Sequence, residues 1–229
     1  MGNYRGRITE IRLDAGQNTE AWIACPPGAI PPAGQYMLAY PPGEAGAALG
    51  VPVFAGENSG QGFWAAEPLP TTWGPGTSLD LRGPLGHGFE LPKNMQRLGL
   101  VALGETAARL LPLVRQAVNL DCAVTLFTDL PLPSTPSFLE VNPLISLPDA
   151  LDWPDFIALD LPLPHLSGLR AVLGLGNETR LPCMGQVLVW TPMPCAGMAQ
   201  CGVCAVPARR GWKLACEDGP VFDLISLKW

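Results

Sequence analysis

Charge is what this sequence has least of: Asp, Glu, Lys and Arg make up only 15% of the 229 residues. Cations are the scarcer sign, 14 Lys and Arg against 20 Asp and Glu, for a net charge of −6. That balance argues against a nucleic-acid partner, which demands clustered cations for its phosphates. So little surface charge points to a face covered by another subunit. Histidine is almost absent. His87 and His165 stand in unrelated contexts, so no Ser-His-Asp arrangement can be built from them. His87, in Gly83-Pro-Leu-Gly-His-Gly-Phe89, reads as a loop histidine bonded to backbone, with a redox cofactor as the sharper alternative; His165 reads as structural. No apolar run is long enough to span a bilayer. The chain opens Met-Gly-Asn-Tyr-Arg without an apolar signal segment, so the expected location is the reducing cytoplasm, where disulfides are disfavoured.

What is abundant is Pro and Gly, 26 of each, in a chain that is 48% apolar. There is enough apolar residue for a core, but it is broken into short elements with little helix. Segments 7–13, 20–25, 35–40, 52–55, 63–67 and 78–82 are apolar or alternating. Between them lie Pro26-Pro-Gly28, Pro32-Ala-Gly34, Pro41-Pro-Gly-Glu44, Gly56-Glu-Asn-Ser-Gly60 and Trp73-Gly-Pro-Gly76. Short strands punctuated by turns indicate a small antiparallel barrel. From about Arg97 the pattern changes. Strands are expected over 98–103, 122–128, 155–161 and 186–191, a helix over 105–118 kinked at Pro112, a loop over 131–136 and a short helix over 166–173. The expected fold is α+β and multidomain: an antiparallel barrel over 1–92, a small parallel α/β domain over 93–190 and a small β-rich domain over 191–229.

The last segment carries the chemistry. Cys195, Cys201, Cys204 and Cys216 are spaced C-x5-C-x2-C-x11-C. Four thiolates suit a [2Fe–2S] cluster, two on each iron. Ala196, Gly197, Ala199 and Gly202 leave room for backbone N–H groups to reach the sulfurs. A structural zinc site is the alternative, but zinc knuckles come as two short pairs, and here only Cys201 and Cys204 form one. Spacing favours iron–sulfur and leaves zinc open. Cys25, Cys122 and Cys183 lie on or beside apolar strands and read as buried free thiols, with Cys183 as the one spare ligand near the cysteine segment. The seven Trp read as core or interface anchors. Trp212 and Trp229 are the two that could mark a subunit contact.

Three segments together resemble the electron-transfer subunit of class 1B dihydroorotate dehydrogenase, within the ferredoxin-reductase-like group. They are Pro32-Ala-Gly-Gln-Tyr-Met-Leu38, Gly76-Thr-Ser-Leu-Asp-Leu-Arg-Gly-Pro-Leu-Gly-His-Gly-Phe89 and the cysteine segment ending Cys216-Glu-Asp-Gly-Pro-Val-Phe222. The resemblance implies an FAD-binding barrel, a nicotinamide-binding α/β half, a [2Fe–2S] domain and a flavin-containing dehydrogenase partner in a hetero-oligomer of pyrimidine biosynthesis.

The chain departs from that pattern at three places. The family spaces its first two cysteines C-x4-C, and this chain adds a residue. The family's flavin strand, Arg-Pro-x-Ser, is here Val51-Pro-Val-Phe54, which removes a charge-assisted contact and leaves FAD binding open. The Gly-rich nicotinamide turn is here Ala102-Leu-Gly-Glu-Thr-Ala-Ala-Arg-Leu110. Only Gly104 remains and Glu105 adds a negative charge, so NAD binding in the family's manner is not expected. The expectation is an electron-transfer component rather than a stand-alone enzyme, with no catalytic residue assigned. Its cluster relays single electrons between the dehydrogenase partner and an acceptor. The alternative is a non-catalytic accessory subunit with a structural metal and lost nucleotide binding.

Overall fold

Alternation of apolar and polar residues closes the first part of the chain into a barrel. A computed structural model describes residues 2–13, 19–42, 50–66, 69–132, 138–176, 178–195 and 197–229. The barrel strands are β1 (Gly2–Leu13), β2 (Thr19–Ala24), β3 (Tyr36–Tyr40), β4 (Val51–Ser59), β5 (Gly62–Ala65) and β6 (Ser78–Leu85). Each pairs antiparallel with its neighbours in the order β1-β2-β5-β4-β3-β6, and the ends meet. Ile8, Ile23, Met37, Ala39, Val53, Phe63, Leu79 and Leu81 fill the interior.

Strand β3 differs from the rest because both of its faces are covered. Met37 and Ala39 point into the barrel. Tyr36 and Leu38, on the opposite face by the two-residue period of a strand, belong to a second core shared with the rest of the chain.

The second part is a six-stranded sheet, ordered β14-β11-β10-β7-β8-β9. Its strands are β7 (Arg97–Ala102), β8 (Ala123–Phe127), β9 (Glu140–Asn142), β10 (Phe156–Pro162), β11 (Met184–Trp190) and β14 (Val221–Asp223). All pair in parallel except β14, which lies antiparallel on β11. The helices are short: α1 (Leu111–Asn119), α2 (Leu147–Ala150) and α3 (Leu169–Val172). The chain runs outward from β7 to β9, then returns to lay β10 on the other side of β7. That reversal leaves a crevice at the carboxyl ends of β7 and β10, the place where such sheets take ligands. Residues 191–220 form a loop and the hairpin β12 (Ala205–Pro207) and β13 (Trp212–Leu214), before β14 returns to the sheet.

Several expected elements differ in detail. The helix begins at Leu111 rather than 105, and Pro112 starts it instead of kinking it. Proline fits there because the first-turn N–H groups have no intrahelical partner. Gly56-Glu-Asn-Ser was expected to be a turn, yet β4 runs through it, with a bulge between Ala55 and Asn58. The short strands β9, β12, β13 and β14 were not anticipated. Glu67, Gly43–Glu44, the centre of the 131–136 loop and Ala196 lie outside the described residues.

At the other end of the sheet, Asp155 ties β7 to β10. It accepts the backbone N–H groups of Gln96 and Arg97, both at 3.0 Å, and the Arg97 guanidinium at 2.7 Å. The Arg97 hydrogen bond, helped by the Gln96 N–H, holds the Asp155 carboxyl below its usual range. A lowered carboxylate contributes stability above its unfolded pKa of about 3.9 and loses it as pH falls through the folded value. Asp155→Asn is therefore expected to melt below the wild type at neutral pH. The gap should close as pH is lowered below about 4, and thermal denaturation across that range measures it.

Candidate metal centre

The cysteine segment begins where β11 ends. Thr191 and Met193 are buried and anchor the loop, and the chain then turns at Pro194–Cys195. Gly197, Ala199 and Gly202 all take positive φ, at 73°, 56° and 70°. These left-handed positions coil the loop tightly enough to take up the residue it has beyond C-x4-C. Ala199 pays a steric cost for this that the two glycines do not. The β12–β13 hairpin then sets the second half of the spacing. Ala205 pairs with Leu214, and the Ala215 N–H donates to the Cys204 carbonyl at 2.9 Å. Cys204 and Cys216 are thereby brought face to face, Sγ to Sγ 3.3 Å.

The four thiols group as two pairs: Cys204 and Cys216 meet Sγ to Sγ, and the Cys201 thiol acts on Cys195 and helps to lower it. Cys195, Cys204 and Cys216 are buried, whereas Cys201 is exposed. Among the described residues no group of three or more His, Cys, Asp and Glu is gathered as one ion would require. Two pairs suit two metal ions, with two thiolates each. Backbone N–H groups also converge. That of Gln200, with those of Cys201 and Met198 and the Cys201 thiol, holds Cys195 down to about 6 against the effect of burial. Cys216 is pushed up to about 12, first by burial and then by the Cys204 thiol beside it, with the Ala199 N–H pulling the other way. Without a metal the Cys204–Cys216 pair keeps a proton; a metal would replace it, and N–H groups near the sulfurs suit the ligands of a cluster.

The three segments that carried the resemblance meet at this centre. A side-chain carbon at Gly34, where φ is 82°, would lie 2.5 Å from Val221 Cγ2. The Gln35 amide donates to the Gly86 carbonyl at 2.8 Å. The His87 N–H donates to the Gly219 carbonyl at 2.5 Å, and the Val221 N–H returns to the His87 carbonyl at 3.3 Å. These contacts are made by the His87 main chain. Tyr36, fully buried, places its hydroxyl 3.4 Å from the Cys216 carbonyl oxygen. Sequence reasoning missed Tyr36, although it lies inside Pro32-Ala-Gly-Gln-Tyr-Met-Leu38.

The nucleotide positions are occupied by the chain itself. Phe54, at the family's flavin Ser, is 2% exposed and pairs in register with Tyr36, ring centroids 5.6 Å apart. It offers no hydrogen bond, and Val51 offers no charge. These residues do not fit the family's flavin contacts, although the barrel that presents them is retained. In the sheet crevice Arg109 lies 4% exposed against fully buried Asp160, Nε to Oδ2 2.7 Å. Burial raises the Asp160 carboxyl and the guanidinium opposes it. The other Asp160 oxygen has no hydrogen-bond partner. Breaking a buried ion pair costs about 3–5 kcal/mol, or roughly two to nearly four powers of ten in affinity. A dinucleotide pyrophosphate would have to meet that cost to enter. The sequence signal was an acid within an otherwise apolar strand.

Cys183 is not a spare ligand. It precedes β11 at the sheet end opposite the cysteine loop, near Asp155 and Asp152, and burial pushes its thiol up to about 11. Cys25 is raised to about 11 in the same way, and the Cys122 thiol donates to the Met95 carbonyl at 2.7 Å. His165 Nδ1 bonds the Leu103 carbonyl at 3.0 Å, a structural role.

Residues 192–228 match the family model for the iron–sulfur cluster binding domain of dihydroorotate dehydrogenase B. Over 182 residues the chain is 26% identical to the electron transfer subunit of dihydroorotate dehydrogenase B (NAD(+)) from Desulforamulus reducens, covering 68% of this chain and 67% of that one. The fold is shared with the NADH-dependent reduced ferredoxin–NADP oxidoreductase at a TM-score of 0.75 and 19% identity, over 98% of this chain and 90% of that one. It is also shared with the ferredoxin reductase of carbazole 1,9a-dioxygenase at a TM-score of 0.56 and 18% identity, over 76% and 63%. The chain thus resembles the dihydroorotate dehydrogenase electron-transfer subunit, with altered flavin and nicotinamide motifs.

In the metal-free chain Cys195 is expected to ionise near pH 6 and Cys216 only near pH 12. Ultraviolet thiolate absorbance followed against pH should show a low step that vanishes in Cys195→Ser. A Cys195 still protonated in the ordinary thiol range would contradict the N–H geometry.

Proposed function

We propose that this chain is the iron–sulfur electron-transfer subunit of an oxidoreductase complex. In this reading Cys195, Cys201, Cys204 and Cys216 hold a [2Fe–2S] cluster, with Cys195 and Cys201 on one iron and Cys204 and Cys216 on the other. The observation that carries it is the four-cysteine loop, with Cys204 and Cys216 held Sγ to Sγ at 3.3 Å, within a segment that matches an iron–sulfur domain. When bound, such a cluster accepts and returns one electron at a time, which couples two-electron flavin chemistry to one-electron carriers.

The chain's own residues shape that centre. The Gln200 and Cys201 backbone N–H groups lower the Cys195 thiol and the Ala199 N–H lowers that of Cys216, while the Met198 N–H donates to the Cys195 carbonyl at 3.2 Å and tightens the turn. Tyr36 and the β12–β13 hairpin shield the inner side, while Cys201 leaves an edge in solvent. The partner is a dehydrogenase catalytic subunit, of the flavin-containing dihydroorotate dehydrogenase kind, in a cytoplasmic hetero-oligomer. Among the described residues no helix is long and apolar enough to cross a membrane. The division into barrel (1–92), α/β domain (93–190) and cluster domain (191–229) belongs to the same reading.

Protein purified without oxygen should contain about two irons and two acid-labile sulfides per chain and give a paramagnetic signal on one-electron reduction. Ser at any of the four cysteines should remove most of the iron, and Cys183→Ser should retain it. Flavin measured in the same sample tells whether the barrel holds FAD without its Arg and Ser. Zinc without sulfide would overturn the proposal in favour of the accessory-subunit reading.

Trp212 is the candidate partner anchor. Trp229 is tied down through its indole N–H to the Leu224 carbonyl at 2.7 Å, whereas Trp212 is 71% exposed on β13. Trp212→Ala is expected to weaken association with the dehydrogenase subunit by about tenfold or more without loss of iron, as read by analytical ultracentrifugation of the complex. Unchanged association would place the interface elsewhere.

A further inference from the structure

The inner wall of the cysteine site is an aromatic hydroxyl from the barrel. Tyr36 reaches it because β3 is buried on both faces, sending Tyr36 out of the barrel toward the cysteine loop. The hydroxyl lies 3.4 Å from the Cys216 carbonyl oxygen. The loop closes over it from the other side: a side-chain carbon at Gly197 would lie 2.9 Å from the Tyr36 oxygen. Gly197 also has φ 73°, so the backbone there is bare and turned toward the phenol. Tyr36 is fully buried, so its O–H is a dipole fixed in a dry environment beside ligands that become negative when they bind metal. An oriented dipole acts strongly in such low-dielectric surroundings.

We propose that Tyr36 is a positioning residue for the cluster, its hydroxyl lying against the Cys216 backbone and the Gly197 turn and setting the centre's reduction potential. This rests on the cluster reading above. Reduction adds negative charge to the sulfurs and their surroundings. The hydroxyl donates to the Cys216 carbonyl, and so offsets the negative end of a dipole that lies beside a ligand sulfur; that favours the reduced form, because hydrogen bonding and burial around such centres tune their potential. The ring has a separate, structural part, packing against Phe54. Removing the oxygen alone separates the two.

The test is a potentiometric titration of the intact, cluster-loaded protein, followed by the paramagnetic signal of the reduced state. Tyr36→Phe should keep its iron and sulfide and become three- to tenfold harder to reduce, about 28–59 mV more negative at 59 mV per decade for one electron. Phe54→Leu, which disturbs the same ring pair and leaves the hydroxyl, should stay at the wild-type potential. The chain has only three Tyr, at positions 4, 36 and 40. Replacing them with fluorotyrosine, a stronger donor, should move the potential the other way and serves if Tyr36→Phe fails to hold iron. An unshifted potential in loaded Tyr36→Phe, or in the fluorotyrosine protein, overturns the role of the hydroxyl while leaving the cluster reading intact. Absence of iron and sulfide from the wild type overturns both.

Discussion

The close backbone contact between the barrel and the cysteine segment is what the rest of the site depends on. Three glycines make it. Gly34 comes to Val221, Gly86 to the Gly219 carbonyl and Gly197 to the Tyr36 hydroxyl, each so near that an added side-chain carbon would lie between 2.5 and 2.9 Å from its neighbour. All three have positive φ. The backbone approaches at distances no side chain allows, and it does so in conformations only glycine takes without strain. These residues come from three segments far apart in sequence, so the contact fixes long-range geometry: it places the cysteine loop against one face of one strand.

From that contact follows the unusual character of β3. A barrel strand normally divides an inside from an outside. Here the outside of β3 is a second interior, shared by Tyr36 and Leu38 with Val101, Leu159, Val189, Cys204, Cys216 and Phe222. Barrel, sheet and cysteine segment therefore have one core in common, and a disturbance at the thiols is felt in the barrel wall. The return of β14 to the edge of β11 closes the arrangement, because the residues following Cys216 become part of the sheet from which the loop departed.

Much of this was readable in the sequence, for identifiable reasons. The barrel strands announced themselves by alternation between Pro- and Gly-rich turns. The buried parallel strands announced themselves as short apolar runs. The cysteine spacing favoured iron–sulfur and left zinc open, since four thiols in a short segment suit either metal. What was illegible depended on contacts distant in sequence. β14 is three residues long and has no periodicity of its own; it is a strand because β11 offers an edge. The bulge in β4 looked like a turn because Gly and Asn serve both. Pro112 looked like a kink because its distance from the true helix start could not be seen. Tyr36 drew no reading of its own, since nothing local distinguishes a ring facing a barrel from one facing thiols.

The two altered nucleotide positions have a common physical pattern. In each, polar groups that would hold a cofactor are replaced by contacts the chain makes with itself. Phe54 stacks on Tyr36 where a hydroxyl would meet a flavin. Arg109 pairs with Asp160 where a pyrophosphate would meet backbone N–H groups. An apolar side chain alone would have left the crevice of the sheet vacant and easily re-entered. A buried ion pair is harder to displace, because each partner, once separated, becomes an uncompensated charge in a dry site. The second oxygen of Asp160 has no hydrogen-bond partner, which subtracts from the stability of the closed pair. The scaffold is thereby kept while the carboxyl ends of β7 and β10 are filled by side chains of the chain itself, and the cysteine segment is left with Cys201 open to solvent and Tyr36 on its inner side.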